Sequence, residues 1–183
     1  MRIFLTGVSC VGKTTIGRKV AELMGITFFD LDHEVEKFFG TSIERLQMKY
    51  LSLHSFREEA AKALVHILKR PDSRKCLIAL PPSGLMGGYL RVLKRTKGLR
   101  VVITDTPENI LERIRFYDID TRPLDITLTA EEKKLYLRDI KEEITYFTKS
   151  YIRADLHVDI SGLDSDRAAQ KIKEAVEKFE QRQ

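Results

Sequence analysis

The segment from Gly7 to Thr14 has residue types and a spacing suited to binding phosphate groups. Its sequence, Gly-Val-Ser-Cys-Val-Gly-Lys-Thr, fits a pattern in which a glycine and four further residues precede Gly-Lys-Thr. Glycines let the backbone turn tightly, so that several N–H groups can point at one anion. Lys13 would reach the β- and γ-phosphates, and the Thr14 hydroxyl would sit on Mg²⁺. The segment therefore predicts a binding site for a nucleoside triphosphate.

The elements on either side of this loop support the prediction. An apolar run within residues 2–6 predicts a short buried strand, and residues 14–24 are compatible with a helix. The start of that helix would add unpaired N–H groups and a positive dipole end. We expect the nucleotide to contact residues of the loop and of the first helical turn, namely Gly7, Cys10, Val11, Gly12, Lys13, Thr14 and Thr15.

Short apolar runs alternate with helical patterns along the rest of the chain, which indicates βαβ units and a parallel sheet. The predicted strands are 2–6, 27–30, 76–80, 100–104 and 156–160. Two stripes at helical spacing predict the last two helices: Leu137, Ile140, Ile144, Phe147 and Tyr151, then Ala168, Ile172, Ala175 or Val176, and Phe179. The sequence therefore predicts an α/β fold with a five-stranded parallel sheet and one domain spanning 1–183.

Composition excludes several classes of protein. The 183 residues are 43% apolar and 32% charged, which is typical of an ordinary globular domain. No apolar run approaches the roughly 20 residues of a membrane span, so we expect no membrane partner and no signal peptide. The net charge of +5 comes from dispersed Lys and Arg, so nucleic acid is not the expected partner. Two cysteines, Cys10 and Cys76, indicate neither a disulfide framework nor a metal site, and the expected location is cytoplasmic.

Two carboxylates follow the second predicted strand, in the order Phe-Asp-Leu-Asp from Phe29 to Asp32. In open parallel sheets, ligands bind beyond the carboxyl ends of the strands, so Asp30 and Asp32 should face the phosphate loop. Alternation along an extended chain would place both on one side, one towards Mg²⁺ and one towards a second substrate. The alternative is that one of the two aspartates, with Asp32 as a candidate, simply caps the helix that follows.

These residues belong to a longer pattern that resembles the shikimate kinase family. The pattern consists of Phe29-Asp30-Leu31-Asp32, Val35-Glu36, Gly40-Thr41-Ser42-Ile43, Phe56-Arg57, Thr121-Arg122-Pro123-Leu124 and Ala154-Asp155. The resemblance implies a three-layer P-loop kinase fold, ATP and Mg²⁺ as cofactors, and a monomer. It also implies acceptor-binding helices at about 32–70 and a mobile lid at about 118–128. The implied reaction is phosphoryl transfer to a hydroxyl of a small carboxylated acceptor, with shikimate the leading candidate.

The resemblance also implies a role for individual residues. Asp30 would help to hold the Mg²⁺ water shell, and Asp32 would bind the acceptor hydroxyls and orient or deprotonate the attacking one. Arg57 would pair with the acceptor carboxylate, for which its planar fork is suited. Arg122 would close with the lid and stabilise charge on the transferred group. Arg113 would pack near the adenine, the alternative being a solvated charge on a helix surface.

Two segments depart from the family on the acceptor side. Pro81-Pro82-Ser83-Gly84 stands where the family has a three-glycine turn whose backbone contacts the substrate. Proline lacks an N–H and has a fixed φ, so this turn cannot donate the same hydrogen bonds. Gly84 is the turn residue that we expect to contact the substrate, and Gly87-Gly88 could compensate for the altered turn.

The second departure concerns an arginine that binds the acceptor carboxylate in the family. Counting back from Ala154-Asp155 places Tyr146 or a neighbour at this position. Arg138 and Arg153 are close enough in sequence to substitute for it. The loss of one of two charge-assisted pairs costs about 1.5–3 kcal/mol.

Two other functions remain open at this point. A kinase for a sugar acid of the gluconate type shares the Gly7-Val8-Ser9 opening but not the Phe56-Arg57 element. A nucleotide-binding sensor without acceptor turnover would fit the Pro81-Pro82 turn, yet such a protein would need neither Asp32 nor Arg122.

Overall fold

The computed structural model describes residues 1–120 and 122–182, so Thr121 of the Thr-Arg-Pro-Leu motif lies outside the described residues. The strands are β1 (Arg2–Thr6), β2 (Thr27–Asp30), β3 (Cys76–Ala79), β4 (Leu99–Thr104), β5 (Phe116–Tyr117), β6 (Pro123–Leu124) and β7 (Leu156–Asp159). The helices are α1 (Lys13–Met24), α2 (Leu31–Phe39), α3 (Ile43–Gln47), α4 (Leu53–Lys69), α5 (Gly87–Lys94), α6 (Pro107–Glu112), α7 (Ala130–Tyr151) and α8 (Ser165–Glu180).

Five strands form one parallel sheet in the order β2-β3-β1-β4-β7. The central strand β1 pairs Phe4 with Ile78 of β3 and with Arg100 of β4. Its residues Ile3 and Leu5 are fully buried, as expected for a parallel strand covered on both faces. The predicted fold and its five strands are confirmed, with strand ends that shift by at most one residue.

Helices cover both faces of the sheet. The crossovers from β1 to β2 and from β3 to β4 run in opposite directions across the sheet, and right-handed connections therefore place α1 and α5 on opposite faces. Helix α8 packs beside α1. Its predicted stripe is confirmed, since Ala168, Ile172 and Val176 are fully buried.

A short antiparallel hairpin, β5–β6, lies at the segment 118–128 that is predicted to be a lid: β5 directly precedes this segment and β6 lies within it. It pairs Phe116 with Leu124 and Tyr117 with Pro123. Two-residue strands are too short to show a hydrophobic period, which explains why the sequence does not reveal them.

The carboxyl ends of the strands bring the predicted chemistry to one edge of the sheet. The phosphate loop follows β1, Asp30 ends β2, and the Pro81-Pro82 turn follows β3. Asp105 follows β4. The segments that follow the interior strands β1, β3 and β4 and the edge strand β2 therefore lie at the same edge of the sheet.

Candidate active site

The phosphate loop wraps around the side chain of Lys13. Its ammonium donates to the carbonyl oxygens of Gly7 (3.0 Å) and Val8 (2.8 Å). Gly12 has a φ of 108°, which favours glycine, and a Cβ on Gly7 would lie 2.6 Å from the Ile103 carbonyl oxygen. The loop therefore needs both glycines, one for its conformation and one for its close approach to β4.

Cys10 also has a left-handed conformation, with a φ of 56°, and no other non-glycine residue among those described has a positive φ. Desolvation raises the pKa of its thiol above 9.0. The thiol is therefore largely protonated at neutral pH, which fits the interpretation of Cys10 as a small loop residue.

The pKa of Lys13 is lowered by desolvation, while the negative charges of Asp32 and Glu143 oppose this shift. Nucleotide phosphates would add further negative charge beside the ammonium and favour its protonated form.

Thr14 and Asp30 form the predicted metal pair. The Thr14 hydroxyl donates to Asp30 Oδ2 at 2.6 Å. A hydroxyl and one carboxylate suit Mg²⁺, which binds few protein ligands and is completed by water and phosphate oxygens. The described residues contain no cluster of three or more His, Cys, Asp or Glu that could hold a metal without a nucleotide. The residues present therefore fit Mg²⁺ bound together with ATP.

Asp30 is also the helix cap that the sequence assigned to Asp32 as an alternative. Its Oδ1 accepts hydrogen bonds from the backbone N–H groups of Asp32 (3.1 Å) and His33 (3.4 Å) at the start of α2. The capping interpretation of Asp32 is therefore wrong. Capping by Asp30 leaves the Asp32 carboxylate available for chemistry.

Asp32 faces the phosphate loop for a different reason from the one that the sequence suggested. The strand ends at Asp30, so Asp32 lies in the first turn of α2 and not on an extended chain. Desolvation in the cleft, followed by the negative charge of Asp30, raises the pKa of Asp32 from 3.8 to about 6. A carboxylate with this pKa is suited to accept a proton near neutral pH.

A cleft of about 630 Å³ lies at the phosphate loop. Its lining includes Asp32 and six of the predicted nucleotide-binding residues, Cys10, Gly12, Lys13, Thr14, Thr15 and Arg113. It also includes four residues that the sequence reasoning missed, Arg115, Tyr117, Leu163 and Ser165. The volume is in the range of a site for a small ligand.

Arg113 lies in this cleft and is not a solvated surface charge. Its Nη1 donates to Asp105 Oδ2 at 2.5 Å and to the Val11 carbonyl oxygen at 3.3 Å. Asp105 is buried and also accepts from Asn109 Nδ2 at 2.7 Å. This network connects the end of β4 to the phosphate loop, and the contact of Arg113 with adenine remains a prediction.

Glu143 is a further residue at the phosphate loop that the sequence reasoning missed. Its Oε1 accepts from the Ser9 backbone N–H at 2.9 Å and from the Ser9 hydroxyl at 2.8 Å. It lies on α7, 134 residues from Ser9, so no local pattern could have indicated the contact. Helix α7 thereby brings a carboxylate to the loop.

The acceptor side contains Arg57 of α4, whose buried Nε has no hydrogen-bond partner within the described residues. Gly87 and Gly88 begin α5 beside it, and a Cβ on Gly88 would lie 2.8 Å from the Arg57 carbonyl oxygen. Burial raises the pKa of Tyr89, which also interacts electrostatically with Asp32 and Arg57. The glycine pair thus positions α5 closely against α4 next to the predicted carboxylate-binding arginine.

The Pro81-Pro82 turn is a closed turn held against β1. The Gly84 N–H donates to the Pro81 carbonyl oxygen (2.8 Å), which also accepts from the Thr6 hydroxyl (3.0 Å). A Cβ on Gly84 would lie 2.6 Å from Leu80 Cβ, so a side chain there would clash. Pro82 lines the cleft, whereas Gly84 packs against the strand end. The predicted contact between Gly84 and substrate is untested.

The two possible substitutes for the absent family arginine differ in position. Arg153 Nη1 donates to the Leu85 carbonyl oxygen at 3.2 Å, in the segment that follows the altered turn. Arg138 is exposed and pairs with Asp139 and Glu142 on its own helix. Tyr146, at the family position, is 61% exposed. Of the two, Arg153 is the arginine that contacts the acceptor-side loop.

Two residues of the predicted lid, Ile119 and Asp120, contact the region where α2 leads into α3. The Ser42 hydroxyl donates to the Ile119 carbonyl oxygen at 2.7 Å, and Arg45 Nε pairs with Asp120 Oδ1 at 2.8 Å. The Arg122 N–H donates to Asp118 Oδ1 at 2.9 Å, and its side chain is exposed. These contacts join Ile119 and Asp120 to the helices that are predicted to bind the acceptor.

Comparison with known proteins shows the family. The family model for shikimate kinase matches residues 9–177. The chain belongs to the shikimate kinase family. It is therefore an ATP-dependent small-molecule kinase, as the resemblance implied. The match covers the phosphate loop from Ser9 onward, both aspartates, Arg57 and the segment predicted to be a lid.

Individual relatives agree with this assignment. A shikimate kinase of Caldicellulosiruptor bescii is 31% identical over 93% of this chain and 92% of its own length. The structure of shikimate kinase from Acinetobacter baumannii in complex with shikimate is 26% identical, covers 97% of this chain and 93% of its own, and has a TM-score of 0.67. The structure of the Bacteroides thetaiotaomicron shikimate kinase, with a TM-score of 0.76 over 97% and 98% of the two chains, is 22% identical and supports the fold alone.

Within the described residues, no helix of this kinase is both long and apolar enough to cross a bilayer.

Proposed function

We propose that this kinase transfers the γ-phosphoryl group of ATP to a hydroxyl of shikimate and produces shikimate 3-phosphate. The observation that carries the proposal is that Asp32 lines the same cleft as Lys13 and has a pKa raised to about 6, which suits the role of a proton acceptor. Family membership and the shikimate bound by the Acinetobacter baumannii relative support the choice of acceptor.

On the nucleotide side, the loop N–H groups and Lys13 would hold the phosphates of ATP. Thr14 and Asp30, already joined by a 2.6 Å hydrogen bond, would hold Mg²⁺. The metal would neutralise charge that develops between the β- and γ-phosphates during transfer. Arg113 and Arg115, which line the cleft, would lie along the remainder of the nucleotide.

On the acceptor side, Asp32 would orient the attacking hydroxyl and take its proton. Arg57 would bind the acceptor carboxylate, and its unpartnered buried Nε is a donor that such a carboxylate would satisfy. A buried donor without a hydrogen-bond partner costs free energy, so an acceptor that carries an anionic group to Arg57 fits the site better than a neutral one.

The lid would exclude water while Arg122 stabilises the transferred phosphoryl group. Its contacts to Ser42 and Arg45 connect it to the acceptor-binding helices, so that lid and acceptor would be held together. Exclusion of water prevents wasteful hydrolysis of ATP.

A test compares ADP formation with ATP and Mg²⁺ in the presence of shikimate, of gluconate, or of no acceptor, with Lys13→Ala as the matched control. We expect shikimate-dependent ADP formation that the control lacks. Turnover with gluconate alone would identify a sugar-acid kinase. Tight ATP binding without turnover on either acid would identify a nucleotide sensor.

The monomeric state and the cytoplasmic location of this kinase stay predictions. Both are implied by the family, and ultracentrifugation and fractionation would test them.

A further inference from the structure

A groove of about 660 Å³ lies between α4 and α5 and shares no lining residue with the nucleotide cleft. One wall runs along α4 from Glu58 to Lys69, and the other runs along α5 from Gly88. Phe38 of α2 also lines the groove and is in contact with the His66 ring at a centroid distance of 5.6 Å. None of these residues has a role in the proposed phosphoryl transfer.

The shape of the groove follows from close packing of two helices at one end. A Cβ on Gly88 would lie 3.0 Å from Ala61 Cβ, so α4 and α5 approach closely there. Both helices lead into strands of a parallel sheet and therefore run side by side in the same direction. The wall on α4 extends for about 17 Å, at 1.5 Å per residue, which is three helical turns. The groove is therefore long enough to contact about three turns of a docked helix.

The floor of the groove is apolar. Val65 is 37% exposed and Phe38 is 44% exposed, and both line the groove with Ala61 and Val92. Apolar side chains that remain exposed together in a concave surface are typical of an interaction site. Helix-in-groove recognition uses such a floor, with anchors from one face of the docked helix.

The rim of the groove is cationic. Lys62, Lys69, Arg91 and Arg95 line it against one carboxylate, Glu58. Lys62 pairs with Glu59 and Arg91 pairs with Glu58. Lys69 and Arg95 make no ion pair or side-chain hydrogen bond in the part of the chain that the structure describes. A second copy of this chain would present the same positive groove, so charge favours an acidic partner.

We propose that this groove is a docking site for an acidic amphipathic helix of a partner protein. The apolar face of that helix packs on Val65 and Val92, and its carboxylates pair with Lys69 and Arg95. The site is separate from the acceptor and nucleotide sites, and the proposal does not depend on which acceptor the kinase uses.

The test uses a fluorescein-labelled helical peptide of about 14 residues, or four turns, with leucine along one face and glutamate elsewhere. Fluorescence anisotropy measures its binding to the full chain. A scrambled peptide of the same composition controls for charge alone. We expect the amphipathic peptide to bind at least about tenfold more tightly than the scrambled one, which corresponds to 1.4 kcal/mol.

Charge reversal locates the binding. We expect the double variant Lys69→Glu, Arg95→Glu to weaken binding at least about tenfold. The double variant Lys134→Glu, Lys178→Glu changes the same number of exposed charges on α7 and α8 and should bind as the wild type does. Unchanged kinase activity of both variants shows that they are folded.

Three results would overturn the proposal. One is equal binding of the two peptides, and another is unchanged binding by the Lys69→Glu, Arg95→Glu variant. The third is a dimer, detected by analytical ultracentrifugation, that the same charge reversal dissociates, because the occupant would then be a second copy of this chain.

Discussion

Replacement of Asp32 by asparagine tests the proton acceptor at the phosphate loop. With a pKa of about 6, the carboxyl group is about 90% ionised at pH 7 and about 10% ionised at pH 5. If the ionised form accepts the proton, kcat/KM of the wild type should fall about ninefold between these two pH values. The Asp32→Asn variant, which keeps the shape but cannot accept a proton, should lose about 10²–10⁴-fold in kcat.

The same substitution should stabilise the fold. The pKa of Asp32 lies above its ordinary value in the folded chain, so the folded state disfavours the ionised form. Above pH 6 the ionised carboxylate lowers the free energy of unfolding. This loss of stability shrinks as the pH falls from 6 to 3.8 and is absent below pH 3.8. Asp32→Asn should therefore raise the melting temperature at pH 7.5, and the increase should fade towards pH 4.

The assay measures product directly, by chromatography of ADP and the phosphorylated acceptor, because coupling enzymes have their own pH dependence. Thermal unfolding by circular dichroism gives the stability at each pH. The reasoning would be refuted by a flat wild-type profile between pH 5 and 7. It would equally be refuted by a variant that retains more than about a tenth of the wild-type kcat, since a positioned general base contributes more.

Three further predictions concern contacts outside the catalytic pair. Arg45→Ala removes the exposed ion pair with Asp120, so hydrogen exchange in the predicted lid at 118–120 and 122–124 should accelerate slightly. Unchanged exchange would show that this ion pair does not hold the segment in place. Gly88→Ala should lower the free energy of unfolding in urea by about 1–3 kcal/mol, because its Cβ would overlap the backbone of α4. An unchanged urea midpoint would show that α4 and α5 can move apart without a loss of stability. Glu143→Gln removes a negative charge close to Lys13, so the phosphates of ATP should be repelled less and calorimetry should show tighter ATP binding. Weaker binding would contradict this and would indicate that the carboxylate stabilises the loop through its hydrogen bonds to Ser9.

The sequence predicts best those features that depend on residues close together in the chain. The phosphate loop combines a strand, a glycine-rich turn and a helix in residues 2–24, and the contacts of Lys13 with Gly7 and Val8 lie within this stretch. The five parallel strands were equally visible because each is a short apolar run between helical patterns. Asp32 was assigned the correct side of the sheet, but through alternation along a strand that in fact ends at Asp30.

Contacts between distant segments were not predictable from local patterns. The hydrogen bonds of Ser9 with Glu143 depend on how α7 packs over the loop, and a polar residue within an amphipathic helix carries no signal for that partner. Gly88 was noticed as part of a glycine pair, yet its close approach to α4 required the packing of two helices. Lys69 and Arg95 lie 26 residues apart in the sequence, and only the packing of α4 beside α5 brings them to one groove.

The identity of the phosphorylated product tests the central claim most directly. Phosphorus NMR after incubation with ATP, Mg²⁺ and shikimate distinguishes a phosphate ester from inorganic phosphate. We expect one equivalent of shikimate 3-phosphate for each ADP, and neither product with the Lys13→Ala variant. ADP accompanied by inorganic phosphate alone, or no ADP at all, would contradict the assignment of shikimate as the acceptor.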